Sequence, residues 1–339
     1  MEKEEQKHPT ELTFKRSKLR GVFTLLLDFE RWYIIYIEIR KIATIEINRW
    51  GDIYMTVKIL TDSTSYISES IKDELAIRVV SLRVAFSEHT FKETEIDNER
   101  FYKMMAEQGI PKSSQPPMGE LCHEMENVVK EGDELICLFL SSEMSGTYAT
   151  AHMAKDMVLQ SYPNANIEIL DSRSNCMQLG FAVIEAARAA KENKTLEEVK
   201  KAAEDNMKKS RFLFIPDNLK YLEQGGRIGR ANAIIGNLFK IIPILTVEDG
   251  MTTIFKKVRT KKKATSTIIG QVLKDIEDFG VGEIVVHHIN CADEAKNVAT
   301  EIRKVVDVEI MIQDIGPVIG LHVGPGAIGV AYYTKKEPL

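Results

Sequence analysis

The sequence predicts an α/β fold: a mostly parallel sheet with flanking helices, followed by an α+β part with antiparallel pairing. Three observations carry that expectation. From Val57 onward, short apolar runs alternate with segments of helical period, the pattern of a parallel sheet wound with helices on both faces. After Ser210 the pattern changes, and Glu248-Asp249-Gly250-Met251 supplies the Asp-Gly signal of an antiparallel hairpin. Between them, the apolar run Leu135 to Leu140 meets Ser141-Ser142-Glu143-Met144-Ser145-Gly146-Thr147 and then a helical pattern through Tyr148, Ala151, Ala154 and Val158. A buried strand that feeds a helix start leaves free backbone N–H groups at the sheet edge, and these attract anions. An ordinary hydroxyl helix cap is the plainer reading of the same residues.

In order along the chain, Val57–Leu60 reads as a strand ending in Asp62-Ser63-Thr64-Ser65, and Ile67, Ile71 and Leu75 have helical spacing. Val79–Phe86 suits one further strand, with Ser87-Glu88-His89 as its turn. Asp97 is a good N-cap for a helix through Phe101 and Met105 that stops at Gly109. The prolines of Pro111-Lys112-Ser113-Ser114-Gln115-Pro116-Pro117 predict a stiff loop, because each fixes its own backbone and restricts the residue before it. A helix through Leu121, Met125 and Val128 precedes the central strand, and Ile167–Leu170 follows as another strand ending in Asp171-Ser172. Two helices come next, the second opened by a capping box from Thr195 to Glu198. Parallel sheets bind ligands at the carboxyl ends of their strands. The hydroxyl-rich ends after Leu60, Leu140 and Leu170 should therefore share one edge.

Beyond Ser210, Phe212–Ile215 is a strand, and Leu219 and Leu222 lie on a short helix stopped by Gly225-Gly226. A helix to Phe279, a strand Glu283–His287, a helix Ala292–Val306 and a strand Val308–Gln313 follow. Gly320-Leu321-His322-Val323-Gly324-Pro325-Gly326-Ala327-Ile328-Gly329-Val330 reads as a tight glycine and proline loop before a last strand. The expected boundaries are 56–207 for the first domain and 208–335 for the second.

Residues 1–54 look foreign to the rest, too charged and broken to span a bilayer and without a signal-peptide cleavage region. Met55 directly precedes a natural first strand, and Arg49-Trp50-Gly51-Asp52 would be encoded by a G-rich stretch resembling a ribosome-binding site. The expectation is a disordered extension or a mis-assigned start, with translation beginning at Met55. Intact-mass analysis of protein from the native host checks this.

The chain has 339 residues, enough for one large or two ordinary domains. A net charge of −5 argues against a nucleic-acid partner, which favours a basic face. Cys122, Cys137, Cys176 and Cys291 form no C-x-x-C pair and read as small core residues in a reducing compartment. Gly324, Gly326 and Gly329 match Gly-x-Gly-x-x-Gly but precede a strand, so a dinucleotide site is not expected, and no Walker loop exists. Met144-Ser145-Gly146 lacks the first glycine of a hydrolase elbow, although Ser145, His322 and an aspartate could still meet as a triad. Asp62 and Asp171 end strands, as metal or base carboxylates often do, but capping of the following turn is the commoner explanation. His287-His288 has no partner at metal spacing and reads as structural. Six basic residues in Lys256–Lys263 make a solvated face, or a dock for an acidic partner or anionic membrane surface. Arg227 in its glycine-rich loop has the fork geometry to hold an anion.

Several motifs in register resemble the DegV family: Asp62-Ser63-Thr64-Ser65, Ser113-Ser114-Gln115-Pro116, Ser141-Ser142-x-x-Ser145-Gly146-Thr147-Tyr148, Asp171-Ser172, Gly225-Gly226-Arg227-Ile228 and His322-x-Gly324-Pro325-Gly326. The resemblance covers about residues 56–335. It implies the two-domain DegV-like fold with a long-chain fatty acid held between the domains. Its carboxylate-binding residues carry over as Ser113, Ser145 with the Gly146 backbone, Arg227 and His322. Ser113 stands where relatives more often have threonine, and Tyr66 where the family often has aspartate.

Some members of that family are carrier subunits of bacterial fatty acid kinase, presenting the bound acid to a separate kinase subunit. The resemblance therefore implies a cytoplasmic, non-enzymatic lipid-binding protein with no metal or cofactor beyond its fatty acid. Transient contact with a membrane surface is a further expectation. The rival is an acyl hydrolase or transferase with Ser145 as nucleophile. A third class is a regulator that binds DNA or a protein partner through Lys256–Lys263.

Overall fold

The computed structural model describes residues 56–234 and 241–338. The expectations for residues 1–54 lie outside the described residues.

Strands β1 (Val57–Asp62), β2 (Arg78–Val80), β6 (Glu134–Phe139) and β7 (Ile167–Asp171) form a four-stranded sheet in the order β2-β1-β6-β7. Every pairing in it is parallel. Its centre is the apolar run singled out above, which is buried on both sides as the middle strand of a parallel sheet must be. Alternate residues serve opposite faces. Leu135, Cys137 and Phe139 pack with Leu121 and Met125 of α3 (Met118–Val129) and with Ala151 and Ala154 of α4 (Thr147–Ser161). Ile136, Leu138 and Leu140 join Ala182, Val183 and Ala186 of α5 (Cys176–Lys191) on the other face.

The three hydroxyl-rich strand ends do meet at one edge, where one buried and one half-buried carboxylate tie them together. Asp62 Oδ1 accepts from the Thr64 N–H at 2.9 Å and the Thr64 hydroxyl at 2.6 Å, while Oδ2 accepts from the Leu140 N–H at 2.8 Å. Asp171 Oδ2 accepts from the Ser142 hydroxyl at 2.6 Å. Both aspartates thus cap the turns that follow the strands.

Two expectations change here. Val79–Phe86 is two strands, because the chain leaves the parallel sheet after β2. β3 (Arg83–Ala85) instead pairs antiparallel with β4 (Thr90–Lys92) and with β5 (Lys112–Ser114). The stiff loop between prolines therefore contains a strand whose register sets Ser113 opposite Val84. Pro111 and Pro116 flank the strand, so neither removes a donor from its ladder.

The second sheet has six strands in the order β10-β9-β8-β13-β11-β12. These are β8 (Ser210–Ile215), β9 (Ile242–Glu248), β10 (Met251–Val258), β11 (Val281–His288), β12 (Ile310–Asp314) and β13 (Ile328–Thr334). Pairing is antiparallel except between β11 and β12. Helices α8 (Lys261–Phe279) and α9 (Ala292–Arg303) cover one face through Ile268, Val272, Val298 and Ile302. The opposite face presents Phe212, Phe214, Leu245 and Ala331 to the same core that holds α5. Helix α6 (Leu196–Lys209), opened by the predicted capping box, passes directly into β8.

A third expectation also changes. The start of the predicted terminal loop, Gly320–Val323, belongs to helix α10 (Pro317–Val323), which has proline at its first position and is ended by Gly324 at φ 86°, and Ile328–Val330 already belong to β13. His322 stands in its last turn.

Candidate functional site

Four segments far apart in sequence converge at the edge of the parallel sheet. β5 brings Ser113, the β6–α4 loop brings Ser145 and Gly146, and α10 brings His322. The turn after α7 (Lys220–Gln224) brings Arg227. All five predicted residues line one cavity of about 300 Å³. Its apolar wall includes Leu82, Phe212, Phe214, Val318 and Ile319. A larger surface groove of about 790 Å³ between α8 and α9 contains none of these five residues.

His322 is the buried centre of the cluster. Its Nε2 lies 2.9 Å from the Ser113 hydroxyl, and its Nδ1 has no hydrogen-bond partner among the described residues. Burial, and after it the Arg227 charge, push the imidazole down to about 4. The ring is therefore neutral at neutral pH and acts as one donor and one acceptor. Gly225 makes this placement possible: a Cβ there would collide with His322 Nδ1 and lie 3.0 Å from the Tyr221 carbonyl oxygen.

Ser145 bonds within its own loop. Its Oγ is 2.9 Å from the Thr147 hydroxyl and accepts from the Thr147 N–H at 3.3 Å. The imidazole that a nucleophilic serine would need is bonded to Ser113 instead, and no carboxylate meets Nδ1 among the described residues. Gly146 caps α4 without a side-chain hydrogen bond at the helix start. Arg227 Nε donates to the Met144 carbonyl at 3.0 Å and Nη1 to the Gly225 carbonyl at 2.7 Å. Its Nε thus joins the two loops, Nη1 braces its own turn, and its charge remains beside His322.

The other hydroxyls of the loop are structural. Ser141 is buried and donates to the Gly250 carbonyl at 2.7 Å, which joins this loop to the β9–β10 hairpin turn. Sequence reasoning missed Asn175, Thr252, Phe212 and Phe214 in the cavity wall. Phe212 and Phe214 stack with centroids 5.1 Å apart. Their period of two on a strand was the available signal that both face one side. Among the described residues, no cluster of three metal-ligating side chains occurs, and no helix is long and apolar enough to cross a membrane.

A family model described as "Uncharacterised protein, DegV family" matches residues 56–335. A DegV domain-containing protein of Clostridium acetobutylicum is 64% identical over 283 residues, covering 84% of this chain and 99% of the relative. The crystal structure of DegV from Bacillus subtilis, described as a fatty acid binding protein, is similar with a TM-score of 0.75 and 35% identity. That match covers 83% of this chain and 100% of the other. A DegV family protein from Thermus thermophilus, whose structure is described by its fatty acid binding, has a TM-score of 0.74 at 27% identity, covering 83% of this chain and 100% of that one. With its parallel sheet, its second mixed sheet and these relatives, the chain belongs to the DegV family.

Proposed function

We propose that this protein binds a long-chain fatty acid in the cavity and presents its carboxylate to a separate kinase subunit. The observation that carries the reading is the cavity's mixed lining, with the bonded pair Ser113 and His322 and the Ser145 hydroxyl as polar groups and Leu82, Phe212, Phe214 and Ile319 as an apolar wall. The Bacillus subtilis and Thermus thermophilus relatives described as fatty acid binding support it. A neutral His322 can donate its Nε2–H to Ser113 Oγ, which frees the Ser113 O–H for the ligand. The Ser145 O–H and the Gly146 N–H at the start of α4 supply further donors, and Arg227 the nearby positive charge. A buried carboxylate needs such hydrogen bonds. The tail contributes most of the affinity, about 0.8 kcal/mol for each buried methylene before the costs of binding.

The chain carries no Walker loop, and on this reading the separate subunit holds the ATP. A carboxylate oxygen of the acid attacks the γ-phosphorus, the bond to the bridging oxygen breaks, and ADP leaves with the acyl phosphate remaining. On this reading the protein works in the cytoplasm, its halves 56–207 and 208–335 enclose the acid, and it contacts a membrane surface transiently for loading. Denaturing mass spectrometry of an organic extract tests the ligand. A stoichiometric long-chain fatty acid is expected, and a protein that neither carries nor takes up palmitate overturns the reading. Labelling of Ser145 by a fluorophosphonate probe would favour the hydrolase rival. Acyl-phosphate formation only when ATP and a second subunit are both present supports the kinase partnership, and its absence with every kinase subunit of the host sinks it.

A further inference from the structure

Glu93 is a buried carboxylate in the 3-10 turn Glu93–Glu95, and it holds the far end of the helix that carries His322. Its Oε2 accepts from the Ser63 hydroxyl at 2.5 Å. Its Oε1 accepts from the Tyr66 hydroxyl at 2.8 Å and from the Val318 N–H, in the first turn of α10, at 2.9 Å. The Ile319 N–H donates to the Tyr66 hydroxyl oxygen at 3.3 Å. Two of the N–H groups that a helix start leaves without intrahelical acceptors are thus met by this pair. The contact is close on every side. A Cβ on Gly316 would lie 2.7 Å from the Tyr66 ring and 2.9 Å from Glu93 Oε1. His322 follows Val318 by four residues, about one turn along the same face. Val318 and Ile319 themselves line the cavity.

We propose that Glu93 is a positioning residue for the carboxylate site: by anchoring the first turn of α10, it fixes where His322 presents its imidazole to Ser113 and to the ligand. The part concerning ligand rests on the fatty-acid reading above, and the part concerning His322 does not. The groups facing Glu93 are Asp62 at the end of β1, Tyr66, Tyr102 from α2 (Asn98–Gln108) and Cys176 from α5. α10 itself faces it with backbone. None of these is a cation, and burial pushes the Glu93 carboxyl up to about 7. Ionised, Glu93 accepts from all three donors; protonated, it must turn its own O–H toward one of them. His322, held near 4 with Arg227 beside it, does not itself titrate around neutrality.

Imidazole NMR of the full chain labelled with ¹⁵N-histidine tests the proposal, with His322→Gln assigning the signal. In Glu93→Gln the His322 signal should be displaced while those of His287 and His288 on β11 stay in place. Between about pH 6 and about pH 8 the native His322 signal should drift with a midpoint near 7, and Glu93→Gln should abolish the drift. Palmitate affinity should fall about tenfold in the variant, the scale of one lost hydrogen bond. An unmoved His322 signal, or all three histidine signals moving together, overturns the proposal. Should Glu93→Gln not fold, Tyr66→Phe removes one donor to Glu93 together with the acceptor of the Ile319 N–H and must displace the same signal; failure there also overturns it. A native chain that takes up no palmitate while its His322 signal responds to Glu93 defeats the fatty-acid reading and leaves the positioning role standing.

Discussion

Gly225→Ala tests the site without removing a polar group. Gly225 ends α7 at φ −74° and ψ −10°, a right-handed conformation that alanine adopts freely. The added methyl would nevertheless collide with His322 Nδ1, 3.1 Å from Cε1 and 3.0 Å from the Tyr221 carbonyl oxygen. That carbonyl accepts from the Gly225 N–H at 2.9 Å, so it cannot retreat without opening the last turn of α7. The imidazole must yield, and turning it breaks the 2.9 Å contact with Ser113. The loss of one neutral hydrogen bond costs about 1 kcal/mol of stability. The lower helix penalty of alanine offsets part of it, by roughly 0.5 kcal/mol. Ligand binding should suffer more, because a hydrogen bond to a charged group contributes about 1.5–3 kcal/mol. At about 1.4 kcal/mol per tenfold, palmitate should bind roughly 10- to 150-fold more weakly. Titration with palmitate and urea unfolding measure the two effects. Gly119→Ala, where a Cβ meets nothing within 4 Å, is the control. A stable Gly225→Ala protein that binds palmitate within about twofold of native would refute the role assigned to His322.

Acid should destabilise the fold in a way that its buried groups predict. Burial holds His287 near 3 and His322 near 4 against an ordinary 6.5. The stability they contribute is present above 6.5 and lost as pH falls through those values, on the order of a few kcal/mol. Glu93 acts oppositely: raised from 4.5 to about 7, it contributes stability below 4.5 that is lost as pH rises through 7. Urea midpoints from about pH 7 to about pH 4.5 should therefore fall more steeply in Glu93→Gln than in the native protein, and equal slopes would refute the assignment. Phe212→Ala should widen the cavity wall and cost about 3–5 kcal/mol, as deletion of a buried aromatic does. It should also shift the bound acid, measured by mass spectrometry, toward bulkier chains; an unchanged profile places the tail elsewhere.

The sequence and the structure agree where the determinants are local. The apolar run of β6 faces two layers, and the hydroxyl loop after it belongs to one strand–helix junction, so both are legible within about twenty residues. The Thr195 capping box and the Asp249-Gly250 turn are local in the same way. What escaped is set by distant partners. Ser113 lies on a strand because Val84 pairs with it, and nothing between Pro111 and Pro117 announces that partner. α10 is buried at every position from Pro317 to Val323, so it has no polar face to mark it as a helix, and its glycines imitate a loop. Glu93-Thr94-Glu95 resembles a solvated acidic turn, and only the Ser63, Tyr66 and Val318 donors make Glu93 an interior residue. The candidate site combines both kinds. Ser113 and His322 are 209 residues apart, and their pairing was anticipated through resemblance alone, since no period or spacing in the chain connects them. Arg227 has the fork geometry to hold an anion, and in the structure two of its donors also serve backbone. It commits Nε and Nη1 to the Met144 and Gly225 carbonyls, so it positions the turn that Gly225 occupies as well as supplying charge. Substituting Arg227 should therefore disturb His322 through Gly225, which is why the alanine at Gly225 is the sharper probe of the site.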